Sequence, residues 1–345
     1  MGPFVMSDVD EDGLRVMRVR FRSTQVPKLA TAYKLMGVAR AIARLRRRGW
    51  VPDVVHAHEY TAGRPALVAA RLSGGAPLVV SEHASDVALG RLTARQITRA
   101  RQTFHAAAIV APVSDDLGHR LQPLAGATPV VPVPNPVDTD LFHPGARHPD
   151  QQLRLLTVGN LVEIKGHNNL IEALRIVADA GLDARLDIAG DGGLREPLAR
   201  RAHELAVADR VTFHGHLPRR RVAALMRTAD VFVLPSLYES LPCVLAETMA
   251  SGVPCVATAV GGVPELVNRG TGVLVEPGSP PALADGIRTV VARRTQYDPR
   301  VLHEVAVHRY GYRAVERSWS DVYVRALGVG RSGAGTAEQK VASHA

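Results

Sequence analysis

The sequence predicts an α/β protein of two domains, each a parallel sheet covered by helices on both faces. Short runs rich in Val, Leu and Ala alternate with helical patterns. These strand-like runs show little alternation of polar and apolar residues, as in sheets that are buried on both faces. A proline-rich stretch interrupts this rhythm near the middle of the 345 residues, and the same alternation restarts after it.

The N-terminal domain is assigned to residues 1–140, and the proline-rich linker to residues 141–152. A basic helix over residues 34–48 opens the regular part of this domain. The strands that follow it are predicted at PDVVHAHE, PLVVSEH, AIVAPVS and PVVPVPN, and the helices between them at GRPALVAARLSGG, ARQITRARQTFHAA and DDLGHRLQPL.

The C-terminal domain is assigned to residues 153–327. Its strands are predicted at LRLLTVGNL, ARLDIAGDG, RVTFHGHL, DVFVLPS, PCVATAV and GVLVEPG, and its main helices at HNNLIEALRIVADAG, LREPLARRAHELAV, RRRVAALMRTA, PCVLAETMASG and PPALADGIRTVVARR. The tail over residues 328–345 is rich in Gly, Ala and Ser, and we predict it to be disordered. Two Rossmann-like domains of this kind are expected to face a cleft, with the carboxyl ends of both sheets pointing into it.

The composition excludes a disulfide-based or membrane-spanning protein. The two cysteines fit a reducing compartment, and no apolar run is long enough to span a bilayer. The acidic start MGPFVMSDVDEDG lacks the apolar core of a signal peptide. We therefore predict a cytoplasmic protein that at most rests on the inner face of the membrane.

The net charge of +9 is concentrated in the basic helix over residues 34–48. There Arg40, Arg44 and Arg47 follow one stripe and apolar residues follow another. Two interpretations stay open, a solvated basic face and a surface for anionic lipid headgroups or a phosphorylated acceptor. No aromatic residues interleave with the arginines to stack bases, so we do not expect a nucleic-acid partner.

The stretch VGNLVEIKGHNNL places Lys165 between the end of a strand and the start of a helix. The free amides and dipole of a helix N-terminus, together with an ammonium group, suit a phosphate. Alone this is a weak signal, because a lysine beside a helix start is often only a surface residue.

The stretch YESLPCVLAE brings two glutamates to one strand end. Glu239 precedes the helix that we expect to start at Pro242, and Glu247 lies on the second turn of that helix. Helical side chains lean toward the N-terminus, so Glu247 is expected to point back toward Glu239. Two carboxylates there can accept hydrogen bonds from vicinal hydroxyls of a ribose or hexose.

Glycine turns complete a nucleotide-diphosphate pocket. Gly261 and Gly262 precede a further helix start, and the turn from Gly190 to Gly193 follows another strand. Each turn by itself is ordinary architecture. All of them stand at strand carboxyl ends of one domain, which favours a shared ligand site.

These motifs resemble glycosyltransferase family four, the retaining enzymes of the GT-B fold. The resemblance is carried by VGNLVEIKG, IAGDGGLREPL, VTFHGHLP, ADVFVLPSLYESLPCVLAETMASGVPCVAT and GGVPELV…GVLVEPG, with PDVVHAHE, SEHASDV and VPNPVDTDLF in the N-terminal part. It covers about residues 50–325 in matching order.

The resemblance implies roles for individual residues. Lys165 would bind the donor pyrophosphate, Glu239 would lie near the transferred sugar, and Glu247 would hold the ribose. His83 would lie beside the reacting centre and Asp86 on the acceptor side, so that His83, Lys165 and Glu239 form the catalytic set. The remaining donor-binding positions implied are Asn160, Gly190, Leu217, Ser240, Leu241, Pro242, Cys243 and Val244. The co-substrate would be a nucleoside diphosphate sugar, with no metal or other cofactor required.

The chain departs from the family pattern in two places. Asn160 stands where the family often has an arginine, so one phosphate-neutralising charge is missing. Either Lys165 and the helix amides neutralise more of the phosphate charge, or an arginine such as Arg219, Arg220 or Arg221 substitutes. The family also opens with a strand, a glycine-rich loop and a helix ahead of GLRVMRVRFR. We therefore expect the N-terminal domain to lack its first β-α unit.

The predicted function is retaining transfer of a hexose-type sugar to an acceptor hydroxyl of a glycolipid, polysaccharide or small metabolite. One alternative is a catalytically impaired nucleotide-sugar-binding protein of the same fold. Another is a phosphorylase or epimerase built on similar domains. A metal site at His56 and His58 is a weaker alternative, because no carboxylate or cysteine cluster completes a ligand shell.

Overall fold

The computed structural model describes residues 4–11, 13–21, 27–145 and 152–342. The chain folds into two compact units. Of the described residues, those up to 113, those of 118–132 and those from 318 onward form the N-terminal unit, and those of 114–117 and 133–317 form the C-terminal unit. Both units are α/β with parallel sheets, which confirms the predicted fold class.

The N-terminal unit contains a parallel sheet and a separate hairpin. Its strands are β1 Phe4–Glu11, β2 Leu14–Phe21, β3 Val55–His58, β4 Leu78–Glu82 and β5 Ile109–Pro112. Its helices are α1 Pro27–Arg47, α2 Gly63–Leu72, α3 Ser85–Ala88 and α4 Ala94–His105. Helix α5 spans Asp115–Ala125 and belongs to this unit from Gly118 onward. Strands β3, β4 and β5 pair in parallel in that order, while β1 and β2 form an antiparallel hairpin that the sequence patterns did not predict.

The C-terminal unit is built on one six-stranded parallel sheet of order β11-β10-β9-β6-β7-β8. Its strands are β6 Leu153–Val158, β7 Ala184–Ala189, β8 Val211–Gly215, β9 Val231–Leu234, β10 Cys255–Thr258 and β11 Gly272–Val275. Its helices are α6 His167–Asp179, α7 Arg195–Glu204, α8 Arg219–Thr228, α9 Cys243–Ala250, α10 Val263–Leu266, α11 Pro280–Ala292 and α12 Pro299–Tyr310. The last helix, α13, spans Tyr312–Ala342.

The central strands of this sheet show why the apolar runs have no alternation. Every residue of β9 and of β10 is buried, because helices cover both faces of the sheet. A parallel sheet brings the carboxyl ends of all its strands to one edge. The segments that follow β6, β7, β8, β9 and β10 therefore start at that edge, and the predicted donor-site residues lie on them.

The strand predicted at PVVPVPN is wrong. Only Val130 pairs there, in an isolated bridge with Val110. Pro129, Pro132 and Pro134 surround this bridge, and a proline has no N–H to donate to a ladder. A regular strand is therefore not formed.

The predicted linker and domain limits also need correction. Leu141 packs on the core of the C-terminal unit and Phe142 is buried within it, so residues 141–145 are part of a domain and not a spacer. The backbone of Val137 hydrogen-bonds that of Tyr310 and extends this attachment. Residues 146–151 of the predicted linker lie outside the described residues. From Ser318 onward α13 belongs to the N-terminal unit, although the sequence assigned residues up to 327 to the C-terminal domain.

The tail that the sequence predicts to be disordered is helical as far as Ala342. Extending a helix is easier than starting one, so the tail continues α13 from the packed region before it, although the tail is rich in glycine. Among the described residues, no helix combines the length and the apolar character needed to cross a membrane.

Candidate functional site

The structure brings Lys165 and Glu239 together at the carboxyl edge of the C-terminal sheet. The Lys165 ammonium donates to Oε1 of Glu239 at 2.6 Å, and the Ser236 hydroxyl donates to the same oxygen at 2.7 Å. The Glu239 side chain is only 10% exposed and that of Lys165 is 28% exposed. The sequence paired these two residues by family resemblance, but it gave no role to Ser236, which directly follows the strand-end proline in VFVLPS.

Backbone contacts hold this pair in place. The amide of Leu237 donates to the carbonyl of Ile164 at 2.8 Å and ties the β9 loop to the β6 loop. Gly166, with φ +65°, lets the chain turn directly against the Pro235 carbonyl. A Cβ there would stand 2.1 Å from that oxygen, so only glycine fits. The sequence analysis did not single out Gly166 or its close contact with the β9 loop.

Gly261 and Gly262 form the floor of the Glu239 loop. The amide of Gly262 donates to the carbonyls of Glu239 and Ser240 at 3.3 and 3.1 Å. Gly261 has φ +48°, and a Cβ on it would lie 1.8 Å from the Glu239 carbonyl oxygen. The backbone of the two glycines therefore fixes the backbone of the predicted sugar-facing glutamate.

Helix α9 places the other predicted donor residues. It begins at Cys243, with Pro242 as the residue before its first turn, one position later than predicted. Ser240 and Pro242 are buried, Leu241 and Val244 are half-buried, and Cys243 is exposed. The amide nitrogen of the Asn135 side chain lies 3.5 Å from the Cys243 sulfur. The stretch between the two glutamates thus offers one exposed thiol and the free amides of a helix start.

Glu247 lies on α9 and already has a partner in the protein. Arg219, the first residue of α8, donates to Oε1 of Glu247 at 3.1 Å. Burial raises the pKa of Glu247, and the guanidinium of Arg219 opposes this rise. The sequence suggested Arg219, Arg220 or Arg221 as a phosphate-neutralising charge, and the structure instead places Arg219 on the predicted ribose-binding carboxylate.

The turns after β6 and β7 pack against each other beside the Lys165 loop. A Cβ on Gly190 would lie 1.8 Å from the carbonyl oxygen of Gly159, so the two strand ends touch through bare backbone. Asn160 is exposed at this edge, and Leu217 is half-buried just before α8. Both residues lie on loops of the same unit as the Lys165–Glu239 pair, and neither takes part in the hydrogen bonds that hold this pair.

His167 is a residue of this region that the sequence motifs did not single out. It is the first residue of α6 and is 3% exposed. Burial lowers its pKa to about 4, with a smaller contribution from the charge of Lys165. The imidazole is therefore neutral near pH 7 and does not add a second cation to that of Lys165.

In the N-terminal unit, Glu82 organises the loops around His83. Its carboxylate is fully buried and accepts hydrogen bonds from the amides of Tyr60, His83 and Ala84 at 2.9–3.0 Å. Burial raises the pKa of Glu82, while these amides favour its charged form. The motif SEH could have indicated this role of Glu82, since a glutamate at the end of a buried strand needs hydrogen-bond donors around its carboxylate.

His83 belongs to a stack of imidazole rings. Its ring lies 5.9 Å from that of His58 with a 15° angle between the planes, and His58 lies 4.6 Å from His56. Trp319 packs on His56, whose Nδ1 is 2.9 Å from the Tyr323 hydroxyl. Burial lowers the pKa of His83, and that of His56 to about 4. Neighbouring imidazoles add to both shifts.

Asp86 lies beside a cavity of the same unit. The cavity has a volume of about 360 Å³ and is lined by Glu59, Tyr60, Thr61, Ala84, Asp86, Leu92 and Gln96. Glu59 has φ +64°, a backbone conformation that is uncommon for a residue with a side chain. No group of three or more His, Cys, Asp or Glu residues suited to a metal ion occurs in the part of the chain that the structure describes.

Comparisons with known proteins match both halves of the chain. The family described as Glycosyl transferases group 1 matches residues 138–301, and that described as Glycosyltransferase Family 4 matches residues 5–141. A glycogen synthase of Mycobacterium tuberculosis is 30% identical over 305 residues, covering 83% of this chain and 73% of that protein. A D-inositol 3-phosphate glycosyltransferase of Catenulispora acidiphila is 32% identical over 311 residues, covering 81% and 72%.

Solved structures share the fold at lower identity. Sucrose-phosphate synthase from Thermosynechococcus elongatus superposes with a TM-score of 0.73 at 21% identity, covering 95% of this chain and 86% of that one. Anabaena HepE in complex with UDP and glucose has a TM-score of 0.69 at 21% identity, covering 83% and 80%.

Proposed function

The chain belongs to glycosyltransferase family 4, and we propose that it transfers a hexose-type sugar from a nucleoside diphosphate sugar to an acceptor hydroxyl with retention of anomeric configuration. The family matches and the two relatives show that it is a glycosyltransferase. The donor, the sugar, the acceptor and the stereochemical course are the proposed part.

The observation that carries the proposal is the Lys165–Glu239 pair between two glycine-supported loops. In the free protein the ammonium neutralises a nearly buried carboxylate at 2.6 Å. A bound diphosphate would offer this ammonium a second anion at the start of α6. Glu239 would then accept a hydrogen bond from a sugar hydroxyl, because a carboxylate has several lone pairs to satisfy.

The donor class is supported by a neighbour of the same fold. HepE holds UDP and glucose, and this supports a nucleoside diphosphate hexose as the donor here. In this arrangement Lys165 and the free amides of α6 and α9 would stabilise the negative charge that develops on the departing diphosphate. Glu247 would hold the ribose, and Ser240 to Val244 would line the path between sugar and nucleoside.

The proposed retaining course is front-face attack assisted by the leaving phosphate. The acceptor oxygen would attack the anomeric carbon on the face from which the diphosphate departs, and the leaving phosphate oxygen would take the acceptor proton. His83 and Asp86, both in the N-terminal unit, are proposed to contact the sugar and the acceptor. The low pKa of His83 suits a neutral ring that donates or accepts a hydrogen bond near pH 7.

Cys243 provides a direct test of donor binding. It is exposed between the two glutamates, whereas Cys255, the other cysteine of the chain, is buried and has its pKa raised to about 12. Alkylation of Cys243 at pH 8.5 is followed by mass spectrometry in the presence of UDP-glucose, GDP-mannose, ADP-glucose or dTDP-glucose. We expect the nucleotide sugar that is the donor to slow this alkylation by about tenfold at saturation. The correct donor is then incubated with a panel of sugar, polyol and glycolipid acceptors, and NMR is expected to show the donor's anomeric configuration in the product.

Cys255 serves as the internal control, because it should stay unmodified with and without nucleotide. Inversion of configuration in the product contradicts the proposed course but leaves transfer intact. Protection without transfer to any acceptor favours a nucleotide-sugar-binding protein. Release of sugar phosphate or an epimerised nucleotide sugar without an acceptor favours the phosphorylase or epimerase alternative.

We also propose that the basic face of α1 contacts anionic membrane surfaces. Arg44 and Arg48 pair with Asp8 at 3.0 Å, so part of the charge is already used within the protein. Arg40 and Arg47 lie two turns apart on the same stripe, and Arg47 is exposed.

Binding to phosphatidylglycerol vesicles is expected to weaken by about tenfold or more in the double variant Arg40→Gln/Arg47→Gln, since each juxtamembrane charge contributes about 1 kcal/mol. Co-sedimentation at low and at physiological salt measures this. The matched control is Arg293→Gln/Arg294→Gln, which removes two exposed charges from the other unit. Equal effects of both double variants would mean that net charge alone, not α1, attracts the protein to lipid.

A further inference from the structure

Three consecutive arginines begin helix α8, and one of them is joined to the donor region. Arg219, Arg220 and Arg221 are all exposed. Arg219 donates from Nη2 to Oε1 of Glu247 at 3.1 Å. For Arg220 and Arg221 the structure gives no ion pair among the described residues. The three residues thus carry the same charge on the same helix, but only Arg219 is paired with Glu247.

The Arg219 side chain also contacts residues outside α8 and α9 in the C-terminal unit. Its guanidinium carbon lies 5.4 Å from the centroid of the Phe142 ring, and that ring is buried. The side chain of Tyr312 also lies near enough to interact with the guanidinium. These contacts restrict the arginine on sides other than the one that meets Glu247.

Arg219 favours the charged form of Glu247. Its side chain is 16% exposed, and burial raises its pKa, whereas Arg219 lowers it. Within the described residues, the titratable or charged groups that face it are Arg219 from α8 and the thiol of Cys243 one turn earlier on α9. Only an ionised carboxylate accepts hydrogen bonds at both oxygens and at full strength.

We propose that Arg219 is a positioning residue for nucleoside recognition, holding the Glu247 carboxylate so that it accepts hydrogen bonds from the ribose hydroxyls of the donor. This inference rests on the proposed function. Arg219 engages Oε1, and a carboxylate has about four acceptor sites, so the arginine leaves room for ribose hydroxyls. Arg219 acts through Glu247 and does not itself contact the phosphates.

The experiment compares a ribonucleotide with its 2′-deoxy analogue. Binding of UDP and dUDP, or of GDP and dGDP, is measured by calorimetry at pH 8 and pH 6 for the wild type and for Arg219→Ala. At pH 6 we expect the variant to bind the ribonucleotide about tenfold more weakly and the deoxynucleotide less than threefold more weakly, so the preference for ribose shrinks. At pH 8 the loss for the ribonucleotide is expected to be smaller, because removing Arg219 takes away a group that lowers the pKa of Glu247, and a protonated carboxyl is favoured more at the lower pH.

Arg220→Ala and Arg221→Ala are the matched controls, since each removes one charge from the same helix start. They are expected to leave the ratio of ribonucleotide to deoxynucleotide affinity unchanged. Equal weakening of both nucleotides by Arg219→Ala overturns the inference and indicates a phosphate contact. Unchanged or tighter binding also overturns it and indicates that the arginine competes with the ribose.

A second readout needs no ligand and separates this inference from the proposed function. The carboxyl ¹³C resonance of Glu247, assigned with Glu247→Gln, is titrated in the wild type and in the arginine variants. We expect its midpoint to rise in Arg219→Ala, because Arg219 lowers the pKa of Glu247, and to stay unchanged in Arg220→Ala. An unchanged midpoint in Arg219→Ala overturns the inference. Failure of the wild type to bind any nucleotide would instead count against the proposed function.

Discussion

Replacing Lys165 with alanine is expected to lower kcat for sugar transfer by about 10²- to 10³-fold, the usual effect of removing one group that stabilises charge in the transition state. The ammonium lies 2.6 Å from Glu239 in the free protein. It stands just before the start of α6, where the proposed diphosphate would lie. Initial rates at saturating donor and acceptor measure the effect.

The same substitution should also affect stability, and a double variant separates the two effects. Lys165→Ala leaves the Glu239 carboxylate, 10% exposed, with the Ser236 hydroxyl as its hydrogen-bond donor. We expect the free energy of unfolding to fall by about 1–3 kcal/mol, because the pair is partly exposed and not fully buried. Lys165→Ala/Glu239→Gln removes the uncompensated charge and should recover most of this stability without recovering activity.

Lys34→Ala is the control for loss of one lysine charge, since Lys34 is exposed on α1 in the other unit. It should leave kcat within twofold of the wild type. If Lys165→Ala retains kcat within about threefold, Lys165 does not stabilise the leaving group, and the assignment of the donor site is wrong.

The substitution Gly261→Ala is expected to disable donor binding and to destabilise the C-terminal unit. Alanine at φ +48° is strained by about 1–2 kcal/mol, and its Cβ would stand 1.8 Å from the Glu239 carbonyl oxygen. The added Cβ is attached directly to the backbone, and the Glu239 carbonyl is itself backbone. Neither group can rotate away, so the Glu239 loop must move. We expect the free energy of unfolding to fall by about 3 kcal/mol or more, and transfer to fall at least about 10²-fold.

Gly181→Ala provides a matched control for this substitution. Gly181 has φ +81°, and no atom lies within 4 Å of the position of an added Cβ. It carries a similar conformational strain without the contact. We expect a loss of about 1 kcal/mol in stability and unchanged transfer, measured by thermal unfolding and initial rates. If the two alanine variants behave alike, the close approach of Gly261 to Glu239 has no role in holding the site.

Much of the fold was predictable because burial leaves a local pattern in the sequence. The runs DVFVLPS and PCVATAV become fully buried central strands, as their lack of polar alternation indicated. The prediction failed at PVVPVPN, where prolines remove the N–H groups that a strand must donate. It also failed at residues 141–145, where Phe142 fills the core instead of spanning between domains.

The donor-site prediction depended on local motifs in the same way. A lysine before a helix start and a glutamate after a buried strand both lie at strand carboxyl ends, and parallel strands bring such ends together. The contact between Lys165 and Glu239 follows from that geometry although the two residues are 74 positions apart. Ser236 could have been found from its position directly beyond the strand end.

The sequence by itself determined the family and the alternation of strands and helices that forms parallel sheets. It also determined the sheet edge at which Lys165, Glu239 and the glycine turns meet. Periodicity and strand-end motifs record these features locally. Only the tertiary structure decided that Arg219, and neither of its two neighbours, pairs with Glu247. It also decided that Tyr323 reaches His56 across 267 positions of the chain. These partners depend on how helices pack against the sheets, and no local pattern of apolar and polar residues encodes that choice.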